Sequence, residues 1–513
     1  MSGDLVIRAG RLLAYADADI ARDQAVVVAD GRIISVGAMA DVRVPGNAKV
    51  IDAGDCLVMP GLINAHHHVG LTPTQLGADD GPLEFWIARR FGAPTVDPYL
   101  DTLCAATDML ARGITCVQHL QGRLFGDPDT FEAEDDRILE AYRDAGMRVS
   151  YSRGLTDQCR FVYDADDTFL ATLTPSEREA VDHLVAQPVE PAGEQLTSSY
   201  HALRGRWQGK ADGRIAVQLA PVNLHWCSDE LLLRAEDVSR ADNVPMHMHV
   251  VETPYQAVYA QLRSGGKSAV GHLDALGLLS PRLTMGHSVW LTSDDIRRVR
   301  RSGACICHNP GSNFRLMSGL APVSRFRAEG IPVAIGIDEA GLSDRRDMMD
   351  EMRLAWALLQ SPGHGETPVD GREVLRMALD DAAATTPFGG TIGRIEPGYS
   401  ADLILLSWDR IAGAYFDVAD GNVSALLRRM VSSSVRTVLV AGRIVHDEGQ
   451  STMVDIATAM DELGQRTKAA AALDPVGRVA TAAALESGMR RFYNRMPWID
   501  WRSITGESAL WKR

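Results

Sequence analysis

Three consecutive histidines close a short apolar run, Gly61-Leu62-Ile63-Asn64-Ala65-His66-His67-His68, and no other stretch constrains the fold as tightly. Read as a strand over Val58 to His68, the run alternates its faces, so His66 and His68 point one way and His67 the other. Two imidazoles at that spacing can hold one metal ion. A lone His-x-His occurs equally by chance on a solvated loop, so the remaining pattern has to decide.

From Val58 to about Phe388 the chain alternates strand-like and helix-like segments. Apolar runs occur at Val58 to His68, Ile114 to Leu120, Arg148 to Arg153, Ile215 to Leu224, Val244 to Val251, Leu283 to Leu291, Ala304 to Cys307 and Val333 to Asp338. Helical spacing fills the intervals, as in Leu100 to Arg112 and Asp229 to Ala241. Eight such units predict an α/β fold, a (β/α)8 TIM barrel over 58–388, with working residues at the C-terminal strand ends. The stretch Thr172 to Gly213 is long for one connection and reads as an insertion.

Both flanks have a different texture. Asp4 to Ala9, Ala25 to Ala29, Arg32 to Val36 and Val50 to Ile51 are short β runs, with Asp30-Gly31 as a hairpin signal. Similar runs return at Ala401 to Leu406, Val435 to Val440 and Ile444-Val445. Residues 1–57 and 389–450 therefore predict one small β-sandwich domain built from both chain ends. Residues 451–513, with helical spacing at Asp455 to Lys468 and Thr481 to Tyr493, predict a helical C-terminal extension packed on the body or on a neighbouring subunit.

Composition narrows the partners. A formal charge of -15 without a concentrated basic face argues against nucleic acid and against an anionic membrane surface. No 18 apolar residues run together, and Met1 to Ala21 offers no secretory apolar core. Seven scattered cysteines read as reduced thiols, so a cytoplasmic protein is expected.

The polar outliers fall where a barrel keeps its chemistry. His66 and His68 close the first strand, His247 and His249 lie on the fifth, His287 on the sixth, and Asp338 ends the eighth. Three imidazoles and a carboxylate form a nitrogen/oxygen set for Zn²⁺, or for Fe²⁺. Spacing alone does not choose between His247 and His249, which share a strand face.

At this point the chain resembles the amidohydrolase superfamily, in its mononuclear branch of cytosine, guanine and S-adenosylhomocysteine deaminases and triazine hydrolases. The likeness rests on Pro60-Gly61-Leu62-Ile63-Asn64-Ala65-His66-x-His68, on His249-x-x-Glu252, and on Gly286-His287-Ser288-Val289-Trp290-Leu291. It continues through Asn309-Pro310-Gly311-Ser312-Asn313, Ser318-Gly319, Gly336-Ile337-Asp338 and Pro397-Gly398-Tyr399-Ser400-Ala401-Asp402-Leu403. The resemblance implies a metal held by His66, His68, His249 and Asp338, with Glu252 and His287 beside it. The pairing with Glu252 selects His249 and leaves His247 a core or supporting residue; His67 is expected to be structural.

The implied chemistry is hydrolytic deamination of an amino-substituted nitrogen heterocycle, a purine, pterin, pyrimidine or triazine, with release of ammonia. The metal lowers the pKa of a water to about 7, Asp338 accepts its proton, Glu252 shuttles protons, and His287 stabilises charge on the attacking oxygen. Triazine dechlorination and cyclic-amide opening, as in imidazolonepropionase-like enzymes, use the same site and stand as alternatives; a metal-free scaffold is a third. Binuclear members bridge two metals with a lysine on the fourth strand. The five lysines here, Lys49, Lys210, Lys267, Lys468 and Lys512, all lie outside Ile215 to Trp226, so one metal per chain is expected. Substrate candidates are Gln75, Glu84 and Trp86 after strand one, His119, Arg153, His225 and Asn309 at other strand ends, and Glu339 after Asp338. By analogy with the family, a homo-oligomer is expected.

Overall fold

The computed structural model describes residues 4–495, apart from 44, 69, 123–127, 188–193, 362, 364–367 and 417–421. Four strands open the chain: β1 (Leu5–Leu12), β2 (Ala21–Ala29), β3 (Arg32–Ala38) and β4 (Lys49–Pro60). The β2–β3 hairpin turns on Asp30 and Gly31, with φ of 49° and 75°. A tight turn of this hand needs two such residues. A side chain at Gly31 would also stand 2.7 Å from the Ala441 carbonyl.

Eight parallel or near-parallel strands follow. They are β5 (Leu62–His67), β6 (Ile114–Gln121), β7 (Arg148–Leu155), β8 (Ile215–Val217), β9 (Ala220–Pro221), β10 (Met246–Val250), β11 (Leu283–His287) and β12 (Cys305–His308). A ninth, β13 (Val333–Ile335), completes them. They form two curled parallel arcs, β5-β6-β7-β8 with β9 on β7, and β10-β11-β12-β13. Bridges Leu219↔Met246 and Asn223↔His249 connect the arcs on one side, and His67↔Asp338 on the other. The Asp338 N–H donates to the His66 carbonyl at 2.9 Å, and the His249 N–H to the Val222 carbonyl at 2.8 Å.

The chain then returns through β14 (Leu403–Ser407), β15 (Val435–Val440), β16 (Arg443–Asp447) and β17 (Gln450–Ser451). With the opening strands they make one eight-stranded sheet, ordered β17-β16-β15-β14-β4-β1-β2-β3. The sequence reading began strand one at Val58, but Val58, Met59 and Pro60 pair with β14 in this terminal sheet. The break falls at Gly61, where any side chain would collide with Thr115. The expected fourth strand, Ile215 to Leu224, is likewise interrupted at Gln218-Leu219.

The seam between the terminal sheet and the arcs is charged. Arg148, on β7, grips Asp402 in two bonds, Nε to Oδ2 at 2.6 Å and Nη2 to Oδ1 at 3.0 Å. Their side chains are 6% and 2% exposed. The insertion carries the helices Pro175–Val185 and Glu194–Trp207. Two longer helices than the sequence indicated, Ile456–Leu473 and Pro475–Tyr493, close the described chain. Among the described residues no helix is long and apolar enough to cross a membrane.

Candidate metal centre and cleft

The polar residues picked out along the chain meet at the C-terminal ends of the arcs. Backbone strain marks the place: Val251, His287, Ser288 and Asp338 have φ of 40°, 62°, 51° and 65°. Non-glycine residues adopt that region rarely, and β-branched valine least readily. The Asn64 side chain holds the crossing in register, accepting from the Ile337 N–H at 3.0 Å.

Hydrogen bonds fix which nitrogen of each imidazole is free. A carbonyl can only accept, so His68 Nδ1 donates to Leu120 O at 2.6 Å and His249 Nδ1 to Val222 O at 2.9 Å. Their Nε2 atoms, left as bare lone pairs, face each other at 3.2 Å. Two acceptors at that distance repel unless a cation lies between them, and two imidazoles on a tetrahedral zinc stand about 3.3 Å apart. His66 Nε2 is buried with no partner among the described residues. It lies 3.8 Å from Asp338 Oδ1, and His68 Nε2 lies 3.4 Å from the same oxygen. The donor set of His66, His68, His249 and Asp338 therefore fits a divalent cation.

His247 supports the cluster from behind, its Nε2 lying 2.8 Å from His66 Nδ1. That contact orients the His66 ring and leaves Nε2 forward. His67 turns away and donates from Nδ1 to the Asp338 carbonyl at 2.8 Å. Burial, reinforced by neighbouring imidazoles, holds His66, His247 and His249 below the usual histidine range, so their rings are neutral.

Two carboxyls and a histidine complete the centre. Burial pushes Asp338 up, but His287, His68 and a 2.7 Å bond from Ser312 Oγ outweigh it and keep it ionised. Glu252 is raised well above the usual carboxyl range by burial, then by Asp338 and Glu84. His287 Nδ1 meets Asn313 Oδ1 at 2.9 Å, and its Nε2 meets Asn309 Nδ2 at 3.2 Å. The ring stands 3.6 Å from both Glu252 Oε1 and Asp338 Oδ2.

A cleft of about 430 Å³ opens onto this cluster. Of the substrate candidates, Trp86, His225 and Glu339 line it; His225 Nε2 has no partner among the described residues. Glu339 pairs with Arg90 at the rim. The other candidates are engaged elsewhere and do not line the cleft. Gln75 accepts from the Thr72 N–H, and Glu84 accepts from Tyr163 and Thr253 hydroxyls. His119 contacts Gln121, Arg153 is bound by the buried Asp135, and Asn309 is occupied by His287. Sequence reasoning missed Arg90, Tyr163, Asn223 and Gln256 as wall residues. Asn313 and Ser312, which bond His287 and Asp338, had a signal in the Asn-Pro-Gly-Ser-Asn turn.

One wall is the helix Leu83–Arg90, which supplies Leu83, Trp86, Ile87 and Arg90. The C-terminal helix braces it from outside. Arg89 bonds Glu486 at 3.1 Å through both Nε and Nη2, Arg490 lies 4.2 Å over the Phe85 ring, and Arg478 reaches the Gly92 carbonyl at 3.1 Å. Buried Tyr493 packs edge-on against Tyr163, a cleft residue, with ring centres 5.4 Å apart.

A model of the amidohydrolase family matches residues 57–445. The 5'-deoxyadenosine deaminase of Methanosarcina mazei is 29% identical over 467 residues, covering 90% of this chain and 96% of that protein. The 5-methylthioadenosine/S-adenosylhomocysteine deaminase of Desulfitobacterium hafniense is 30% identical over 472 residues, covering 90% and 98%. Among solved structures, an adenosine deaminase from Xanthomonas campestris with bound zinc is similar at a TM-score of 0.74 and 26% identity, covering 91% and 99%.

Proposed function

We propose, on the premise that this chain belongs to the amidohydrolase family, that it is a metal-dependent hydrolytic deaminase of an amino-substituted nitrogen heterocycle. One observation carries the reading: bare imidazole nitrogens 3.2 Å apart beside an ionised Asp338, with a buried carboxyl, Glu252, at the same cleft. The printed activities of the relatives support an aminopurine of the adenosine type as substrate. Zinc, one ion per chain, is the metal we assign, held by His66, His68, His249 and Asp338.

A divalent cation in that set supplies Lewis acidity and brings a water's pKa to about 7. The rest is work for this chain's own side chains. Asp338, kept ionised, accepts a proton from the attacking water. Glu252, kept protonated by burial, delivers its proton to the ring nitrogen beside the reacting carbon. It then takes the remaining proton of the added hydroxyl and passes it to the departing amine, and is reprotonated by the proton that Asp338 took from the water. Water adds its oxygen to that carbon, the carbon–nitrogen bond to the amino group breaks, and the products are a ring carbonyl and ammonia. His287, fixed by Asn309 and Asn313, keeps Asp338 and Glu252 in place and stabilises charge on the incoming oxygen when it carries a proton. Trp86 and His225 take the flat ring, and Glu339 reads its polar edge.

In the same reading the two arcs are one (β/α)8 barrel over 58–388, supported by the three bridges that connect their edges. The eight-stranded sheet is a β-sandwich of 1–57 and 389–450, enclosing Ile7, Val26, Ile33 and Leu439. The extension expected over 451–513 is helical as far as it is described, residues 496–513 lying outside the described residues. Seven unpaired cysteines support a cytoplasmic location. Exposed Leu473, Val476 and Val479 support a homo-oligomer.

The test is a release assay with the zinc-loaded protein over adenosine-type nucleosides, guanine, pterins, cytosine and chlorotriazines. Ammonia from one of the amino heterocycles is expected. Chloride release alone, or no turnover of any of them at full zinc occupancy, would overturn the assignment.

A further inference from the structure

A second cleft, of about 530 Å³, lies at the opposite end of the parallel strands. It is lined by Tyr99, Arg143, Asp144, Asp212, Arg214 and Arg443, with Met453 and Val454 from the segment after β17. Arg214 immediately precedes β8, so it marks the N-terminal end of the strands, away from the histidines.

Arg214 is the unusual residue. It is 5% exposed, yet its guanidinium has no hydrogen-bond or ion-pair partner among the described residues, and its Nη1 is fully buried. An unpaired cation is expensive to bury, and arginines so buried are ordinarily matched by an acid. Burial is the leading cause of the imbalance, and two other arginines lie close enough to be felt. Burial pulls Arg214 below the usual arginine range; Asp212 opposes it, and Arg148 and Arg443 work with it. Asp402 is committed to Arg148. Asp144 is committed to Arg143 at 2.8 Å and to the Tyr99 hydroxyl at 2.9 Å. Arg443, exposed on β16, likewise has no ion-pair partner among the described residues. With Arg143 and Asp144 paired to each other, two guanidiniums, Arg214 and Arg443, face one carboxylate, Asp212, in a chain whose overall charge is -15.

We propose that this cleft is an oxyanion-binding site, in which Arg214 and Arg443 together take a phosphoryl or carboxyl group. The guanidinium fork matches both kinds of oxyanion in bidentate geometry. A bound anion there touches β8, the end of the helix Pro128–Ala145 and the terminal sheet at once. It would therefore stabilise the whole chain by linkage.

The experiment is thermal melting of the full-length, zinc-loaded protein against inorganic phosphate and against succinate, each matched in ionic strength by sodium chloride. A saturable rise of a few degrees with one of the two anions is expected, and which anion acts tells phosphoryl from carboxyl. A general salting-in or salting-out effect does not saturate. Arg214→Met removes the buried charge without leaving a partner stranded, so it should fold at least as well as the parent and lose the anion response. Arg443→Gln alters an exposed side chain and should weaken the apparent affinity by about tenfold or more; it keeps the test open if Arg214→Met does not fold. No saturable rise with either anion, or a rise that survives both substitutions unchanged, would overturn the proposal.

Discussion

Replacing Asp402 by asparagine changes one oxygen to an amide nitrogen at the seam between the arcs and the terminal sheet. Asp402 Oδ1 also accepts the Ala441 N–H at 2.8 Å and the Ser400 hydroxyl at 2.8 Å. The asparagine oxygen can keep those two bonds, but its NH₂ must then face Arg148 Nε, donor against donor. The guanidinium stays 6% exposed with its counter-charge gone. Removing one partner of a buried pair costs about 3–5 kcal/mol, mostly from the charge left behind. Arg148→Met should cost less, because Asp402 retains the Ala441 and Ser400 donors. The double variant should cost less than the two single changes summed.

The assay is urea unfolding followed by tryptophan fluorescence, comparing the transition midpoints of the four proteins. Burial raises Asp402, but Arg148 and its donors hold it below the usual carboxylate range. Its contribution is therefore present above about pH 4 and lost only as pH falls through the depressed value. If Asp402→Asn stays within about 1 kcal/mol of the parent at pH 7, the pair behaves as a solvated one and the reasoning fails.

Three further outcomes are expected. Glu252→Gln should lower kcat by about 10²–10⁴ with zinc content unchanged; turnover within tenfold of the parent at equal zinc would remove Glu252 from the proton path. His247→Ala should weaken zinc binding by about 10–100-fold in a chelator competition, because the His66 ring loses its support; an unaltered affinity would make His247 mere filling. Glu351, buried while accepting the Gly311 and Leu342 N–H groups, is pushed up to about 7 by burial. A raised carboxyl favours folding below the unfolded value and loses that advantage as pH climbs to the folded one. The stability lead of the parent over Glu351→Gln should thus shrink between about pH 4.5 and 7, and a constant lead would refute this.

Local pattern carried much of the architecture. Alternation along β5 separates His66 and His68 from His67, and Asp30-Gly31 marks a hairpin, because each depends only on neighbouring residues. The candidate ligand residues were legible for a similar reason: histidines inside apolar strands are conspicuous. The cleft was not. Glu84 and Arg153 read as available polar groups, but partners far along the chain, Thr253 and Asp135, occupy them. Arg90 and Tyr163 carry no local signal, and become wall residues only through tertiary packing. The break at Gly61 and the left-handed backbone at His287 and Asp338 arise from sheet crossings that periodicity does not encode.

The brace of Pro475–Tyr493 on Leu83–Arg90 separates two kinds of inheritance in this chain. Everything that would grip the cation is in place before residue 340, but the wall against which a ring would rest leans on a helix ending at Tyr493. A chimera that borrows only the arcs from a relative would carry over the reactive centre and leave its selectivity behind. To carry this wall over intact, the two helices would have to travel as a pair.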